Sequence, residues 1–162
     1  MGAAHRNHVI GADAQPLWTV ERANARLDEL RELLPQMEGW VTRLRRIYEE
    51  LRRLAKFWGT EAEASDNPDR DLKGRLETEW RLLSSRLEER VETLRTEGIE
   101  VKDLESGLVD FYALRAGEVV YLCWQRGEDS VRFYHTLTGG YSNRRPIESV
   151  TTDTPASPRG RH

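Results

Sequence analysis

From Val20 onward, apolar residues recur at Val20, Ala23, Leu27, Leu30, Leu34, Met37, Val41, Leu44, Tyr48, Leu51, Ala55 and Trp58. The steps alternate three and four without a slip. This is a heptad repeat with both seam positions apolar, and it predicts one long helix. A flanking row, Leu33, Trp40, Ile47 and Leu54, repeats every seven residues and widens the stripe on one side. Thr19 suits the N-cap, because its hydroxyl can accept a backbone N–H of the first turn, and Glu21 complements the helix dipole there. Arg22 stands where a capping box would carry Glu or Gln. Pro35 is the one conflict, since a proline inside a helix removes a hydrogen bond at a cost of roughly 3 kcal/mol or more. The heptad phase passes through it unchanged, so the pattern predicts a kinked but continuous helix.

Residues 59–66 read as a loop. Asn67-Pro68-Asp69 then supplies an N-cap, a proline at the first helical position and an acid in the first turn. Leu72, Leu76, Trp80, Leu83, Leu87, Val91 and Leu94 continue the helical period until Gly98, a C-terminal stop. Two long helices joined by a short loop are expected to return antiparallel. After Gly98 the period changes. Ile99-Glu100-Val101 alternates, Leu108-Val109-Asp110-Phe111 is short and apolar, and 118–124 and 131–137 flank the turn-like Arg126-Gly127-Glu128-Asp129. The reading is a small antiparallel sheet that needs the helices for support, with Leu108 or Val109 buried against them.

The expected fold is therefore α+β: a long antiparallel, coiled-coil-like helical hairpin over 17–98 with a small C-terminal antiparallel β-sheet over 99–148. Residues 1–16 and 149–162 lack any period and are expected to be mobile tails around this single domain.

Composition narrows the function. The chain has 162 residues, one cysteine and a formal net charge of -3. One cysteine excludes an internal disulfide and a multi-thiolate metal site. The charge gives no global attraction to nucleic acid or anionic lipid. No apolar run approaches the roughly 20 residues that cross a bilayer, and the N-terminus lacks the apolar core of a signal peptide. The expectation is a soluble, cytoplasmic protein without a membrane partner.

Cys123 and His135 are the only Cys and His between the expected tails, and Asp110 is an acid flanked by apolar residues. A thiolate, an imidazole and a carboxylate could bind a divalent metal, or the first two could form a nucleophile pair. Loop length decides whether they meet. A two- or four-residue hairpin loop sets Cys123 opposite Arg132 and sends His135 to the other face, whereas an odd loop puts Cys123 and His135 on one face. The bland alternative is a small core thiol and a hydrogen-bonded imidazole.

Tyr141, Arg144 and Arg145, after Gly139-Gly140, form a candidate anion contact, or else an exposed turn that ends the sheet. Arg43, Arg45, Arg46, Arg52, Arg53 and Lys56 outnumber Glu49 and Glu50 locally. Their i,i+4 pairing with those acids reads as a solvated face, and no recognition motif supports nucleic acid.

Trp18-Thr19-Val20-Glu21-Arg22-Ala23-Asn24 with Leu33-Leu34-Pro35, then Gly107 to Phe111, Val120 to Trp124, Gly127-Glu128, Tyr134-His135, Gly139-Gly140-Tyr141 and Arg144-Arg145-Pro146 form an ordered set over 18–147. In that order the chain resembles a prokaryotic family, domain of unknown function 2203 (DUF2203). Arg22, Tyr112 and Thr136 depart from the family's pattern, the last removing an acid beside His135. The resemblance implies a fold and a bacterial origin, and no activity.

The function expected from these readings is a non-catalytic binding or scaffolding protein acting through its helical hairpin. Its expected partner is a second copy, because a helix over 19–58 spans roughly 60 Å and one over 68–97 roughly 45 Å, leaving apolar seam uncovered. An unidentified protein partner is also open. The alternative is a small metal-binding protein or enzyme using Asp110, Cys123 and His135. A nucleic-acid-associated helix pair is the weaker third reading.

Overall fold

The structure, a computed structural model, describes residues 16–148. The tails expected at 1–16 and 149–162 lie outside the described residues, Pro16 apart. The fold is α+β. Helix α1 spans Val20–Trp58 and α2 spans Arg70–Thr96, with a 3-10 turn at Gly59–Glu63 between them. Five strands follow, β1 (Ile99–Asp103), β2 (Leu108–Arg115), β3 (Glu118–Gln125), β4 (Phe133–Thr136) and β5 (Arg145–Pro146). They pair antiparallel in chain order as one sheet.

Helix α1 runs through Pro35 without a break, so the heptad seam overrides the missing N–H. Thr19 caps it, its hydroxyl accepting the N–H of Arg22 at 3.2 Å. The start of α2 departs from expectation. Its cap is Asp69 and its first residue Arg70. The Asn67 side chain instead accepts the Asp69 N–H and donates to the Glu61 carbonyl, holding a turn before the helix. Arg43 of α1 meets Glu79 of α2 at 2.7 Å, and Trp58 donates to Asp69 at 3.0 Å.

The core sits between the helices and one face of the sheet. Ala23, Leu27, Leu30, Leu34 and Met37 of α1 pack with Leu94, Ile99, Val109, Phe111, Ala113, Val120, Leu122 and Trp124. Strand alternation supplies this directly, because every second residue of β2 and β3 is apolar and faces α1. Trp18 ties the chain to this body: its backbone bridges β2, its indole N–H donates to the Glu97 carbonyl, and its ring meets Phe111 edge-on. Gly98 ends α2 at φ 78, and a Cβ there would lie 2.3 Å from the Pro16 carbonyl oxygen. Past Glu38, which pairs with Arg126 at 2.9 Å, and Trp40, which still touches the main core, the two helices pack on each other. Ile47, Leu54, Leu76 and Leu83 form a second, smaller cluster, with Trp40, Leu44, Leu51, Trp58, Leu72 and Trp80 half-buried around it. No helix among the described residues is long and apolar enough to cross a membrane.

Candidate metal centre

The outer face of the sheet, turned from the helices, is also closed to water, but with polar groups. Two turns build it. Ala116 (φ 49) and Gly117 (φ 82) join β2 to β3 in a tight left-handed turn that suits the twist of paired strands. This sets Asp110 directly opposite Cys123. The loop 126–132 joins β3 to β4, and its odd length pairs Tyr121 with His135 and Cys123 with Phe133. Cys123 and His135 therefore share a face, the odd-loop case of the sequence analysis.

Asp110, Cys123 and His135 are 1%, 0% and 3% exposed. One ligand atom from each lies within 4.8 Å of the others. His135 Nδ1 is 2.8 Å from the Thr136 carbonyl oxygen, which can only accept, so Nδ1 carries a proton. Its Nε2 then faces Asp110 Oδ2 at 3.0 Å. Two acceptors at that distance must share a proton. Burial pushes the Asp110 carboxyl above its ordinary range, against the opposing pull of His135 and Cys123, so a protonated Asp110 can donate to Nε2. The other carboxyl oxygen, Oδ1, is buried with no hydrogen-bond partner. Burial, reinforced by Asp110, pushes the Cys123 thiol up to about 12, while Arg144 works in the opposite direction.

This donor set fits a cation of zinc's class. Thiolate sulfur, imidazole nitrogen and carboxylate oxygen are its ordinary ligands, and in a tetrahedral site with bonds of about 2.0–2.3 Å they lie roughly 3.3–3.8 Å apart. The widest pair, at up to 4.8 Å, must close by roughly 1 Å. The Nδ1–H to carbonyl bond is the outer contact that orients a ligating histidine and leaves Nε2 for the metal.

A hydrogen-bonded group absent from the sequence reading lies beside the triad. Tyr112 donates to Glu100, and the one hydroxyl proton of Tyr121 is shared between Glu100 at 3.1 Å and the Tyr112 hydroxyl oxygen at 2.9 Å. Lys102 pairs with Glu100 and lies over the Tyr121 ring, which also meets the rings of Tyr112 and His135. Burial disfavours ionised Glu100, yet Lys102, Tyr112 and Tyr121 together hold its carboxyl below the ordinary range. Burial raises both phenols. Period-two counting from Asp110 reaches Tyr112, and that alternation was the available signal.

Of the candidate anion contact, Arg144 donates to Glu128 at 2.8 Å and Tyr141 to Gln125 at 2.8 Å. Arg145 is exposed on β5 and is not brought to them. Two long helices and a five-stranded sheet with a buried Asp-Cys-His cluster define the class of protein. The chain belongs to the DUF2203 family, whose model, described as an uncharacterized conserved protein, matches residues 16–147. No curated protein and no solved structure matches the chain.

Proposed function

We propose that this protein binds a divalent metal of zinc's class through Asp110, Cys123 and His135. The observation that carries the reading is the orphaned, buried Oδ1 of Asp110 beside a histidine whose Nε2 is already presented. A buried polar atom without a partner costs roughly 1–3 kcal/mol, and a cation in that position would satisfy it. Three protein ligands leave a fourth position for water or a substrate atom. Loading displaces the proton shared by Asp110 and His135 and the thiol proton of Cys123. Metal-stripped protein titrated with cobalt should take up one ion per chain with a thiolate-to-metal absorption band. Cys123→Ser should abolish the band and His135→Gln should weaken binding at least tenfold. Uptake that is absent, or unchanged in both variants, overturns the reading.

A second reading is favoured by the apolar surface of the distal helices. Tyr48, Phe57 and Leu82 are exposed, and Tyr48, Leu51 and Trp80 line a groove of about 350 Å³. An antiparallel, coiled-coil-like helical hairpin scaffolding a homodimer of a cytoplasmic bacterial protein would use that surface. Sedimentation at micromolar concentration tests it: a dimer that Tyr48→Glu dissociates supports it, and a species of 18.8 kDa in the parent chain overturns it. Of the basic residues on α1, Arg43 and Arg53 pair with Glu79 and Glu50, and a salt-dependent binding assay tests the weaker nucleic-acid reading.

A further inference from the structure

One charged side chain, Arg144, reaches the sulfur of the triad. Arg144 follows the turn at Gly140 (φ 64) and a 3-10 turn at Tyr141–Asn143, and it returns over the outer face of the sheet. Its guanidinium is stacked 4.2 Å from the centre of the Phe133 ring and 4.3 Å from that of Tyr141. One nitrogen donates to Glu128 at 2.8 Å and another reaches the sulfur of Cys123 at 3.9 Å. Glu128 is itself held, accepting the backbone N–H of Gln125 at 2.9 Å. The segment carrying Arg144 is tied to the sheet by two residue pairs between β4 and β5, by bonds from Ile147 to Arg132, Gly139 to Thr136 and Tyr141 to Gln125, and by Ile147 packed against the core.

We infer that Arg144 is the gate of the metal centre and Glu128 its latch. A guanidinium touching the thiol and a divalent cation bound to the same sulfur are like charges competing for one atom in a low-dielectric setting. Metal can reach Cys123 only when Arg144 swings away, which breaks its contact with Glu128 and slides it out from between two rings. The Arg144 side chain, with the turn that carries it, is the element that moves. The same motion bares the thiol, so access to Cys123 reports the gate whether or not metal is present. The cargo in this inference rests on the metal-centre reading, whereas the contact itself does not.

Two measurements on the full-length chain test it. In the metal-free protein, an aromatic disulfide reagent should label Cys123 about tenfold faster in Glu128→Gln and in Arg144→Ala than in the parent, because one charge-assisted contact no longer holds the closed state. Arg144→Lys should fall between. Melting temperature and far-UV circular dichroism, taken alongside, identify a variant that reacts through unfolding, and Glu128→Gln is the milder of the pair. Cobalt uptake by the metal-stripped protein should accelerate by about the same factor in Glu128→Gln, because the closed, metal-free state is the one that Glu128 holds. Labelling within twofold of the parent in folded Glu128→Gln and Arg144→Ala overturns the gate, as does faster labelling with an unchanged rate of cobalt uptake. A parent chain that binds no cobalt overturns the metal reading instead, and the labelling ratio then decides the gate alone.

Discussion

The two faces of the sheet are equally dry and chemically opposite. Toward the helices stand Val109, Phe111, Val120, Leu122 and Trp124, whose burial is the ordinary source of stability. On the far side, Asp110, Tyr121, Cys123 and His135 are buried nearly as deeply, where every polar group must find a partner or cost free energy. A face with no helix over it could have been left open to water with simple surface residues. Instead Lys102, Phe133, Tyr141 and Arg144 close over it through stacking and hydrogen bonds. The inner face explains why the protein folds, and the outer face carries the residues of the proposed metal site.

The comparison breaks most visibly at Phe111. Replacing it with Ala should destabilise the chain by about 3–5 kcal/mol in urea unfolding, because the ring is fully buried between Trp18 and the helix seam. A loss under 1 kcal/mol would mean that the inner face does not dominate.

Asp110→Asn should act in the opposite direction, stabilising the metal-free protein by on the order of 1 kcal/mol above the carboxylate range. The sign follows from linkage. The folded carboxyl titrates above its ordinary value, so its favourable contribution is complete in acid and disappears as pH rises through the folded value. The variant's advantage should therefore grow with pH from the carboxylate range upward, and an advantage that shrinks would refute the assignment. Metal uptake should fall in the same variant.

The smallest effect is expected from Tyr112→Phe, about 1 kcal/mol, by removing one phenol from Glu100. It should also steepen the loss of stability in acid less than the parent shows. Glu100 titrates below its ordinary value, and its contribution, present above that value, is lost as pH falls through the folded one.

Much of this was legible from residue order. The heptad seam from Val20 to Trp58 predicts a helix that proline fails to interrupt, because tertiary burial of Leu30, Leu34 and Met37 outweighs one lost bond. The strand segments were readable too: 99–101 alternates, 108–111 is a short apolar run, and 118–124 is rich in β-branched and aromatic residues beside a glycine-containing turn. The turn at Ala116–Gly117 was not, since alanine seldom adopts a positive φ and its choice there follows from the twist of the strands it joins. The site was half legible. Residue types nominated Asp110, Cys123 and His135, but their meeting depended on the parity of the 126–132 loop, which no residue in it announces. Arg144 was nominated as an anion contact, but Glu128 as its partner was not, because their contact spans a sheet edge and two separate turns.

The Ala116–Gly117 turn also bears on the order of assembly. It connects the two longest strands with the shortest possible loop, so the entropy lost on closing that loop is the least anywhere in the sheet. Eight consecutive residue pairs can then zip outward from it, from Arg115 and Glu118 to Leu108 and Gln125. Asp110 and Cys123 are one of those pairs, and they are brought face to face by local sequence alone. His135 arrives across a longer loop and so closes a cluster whose first two members are already in register.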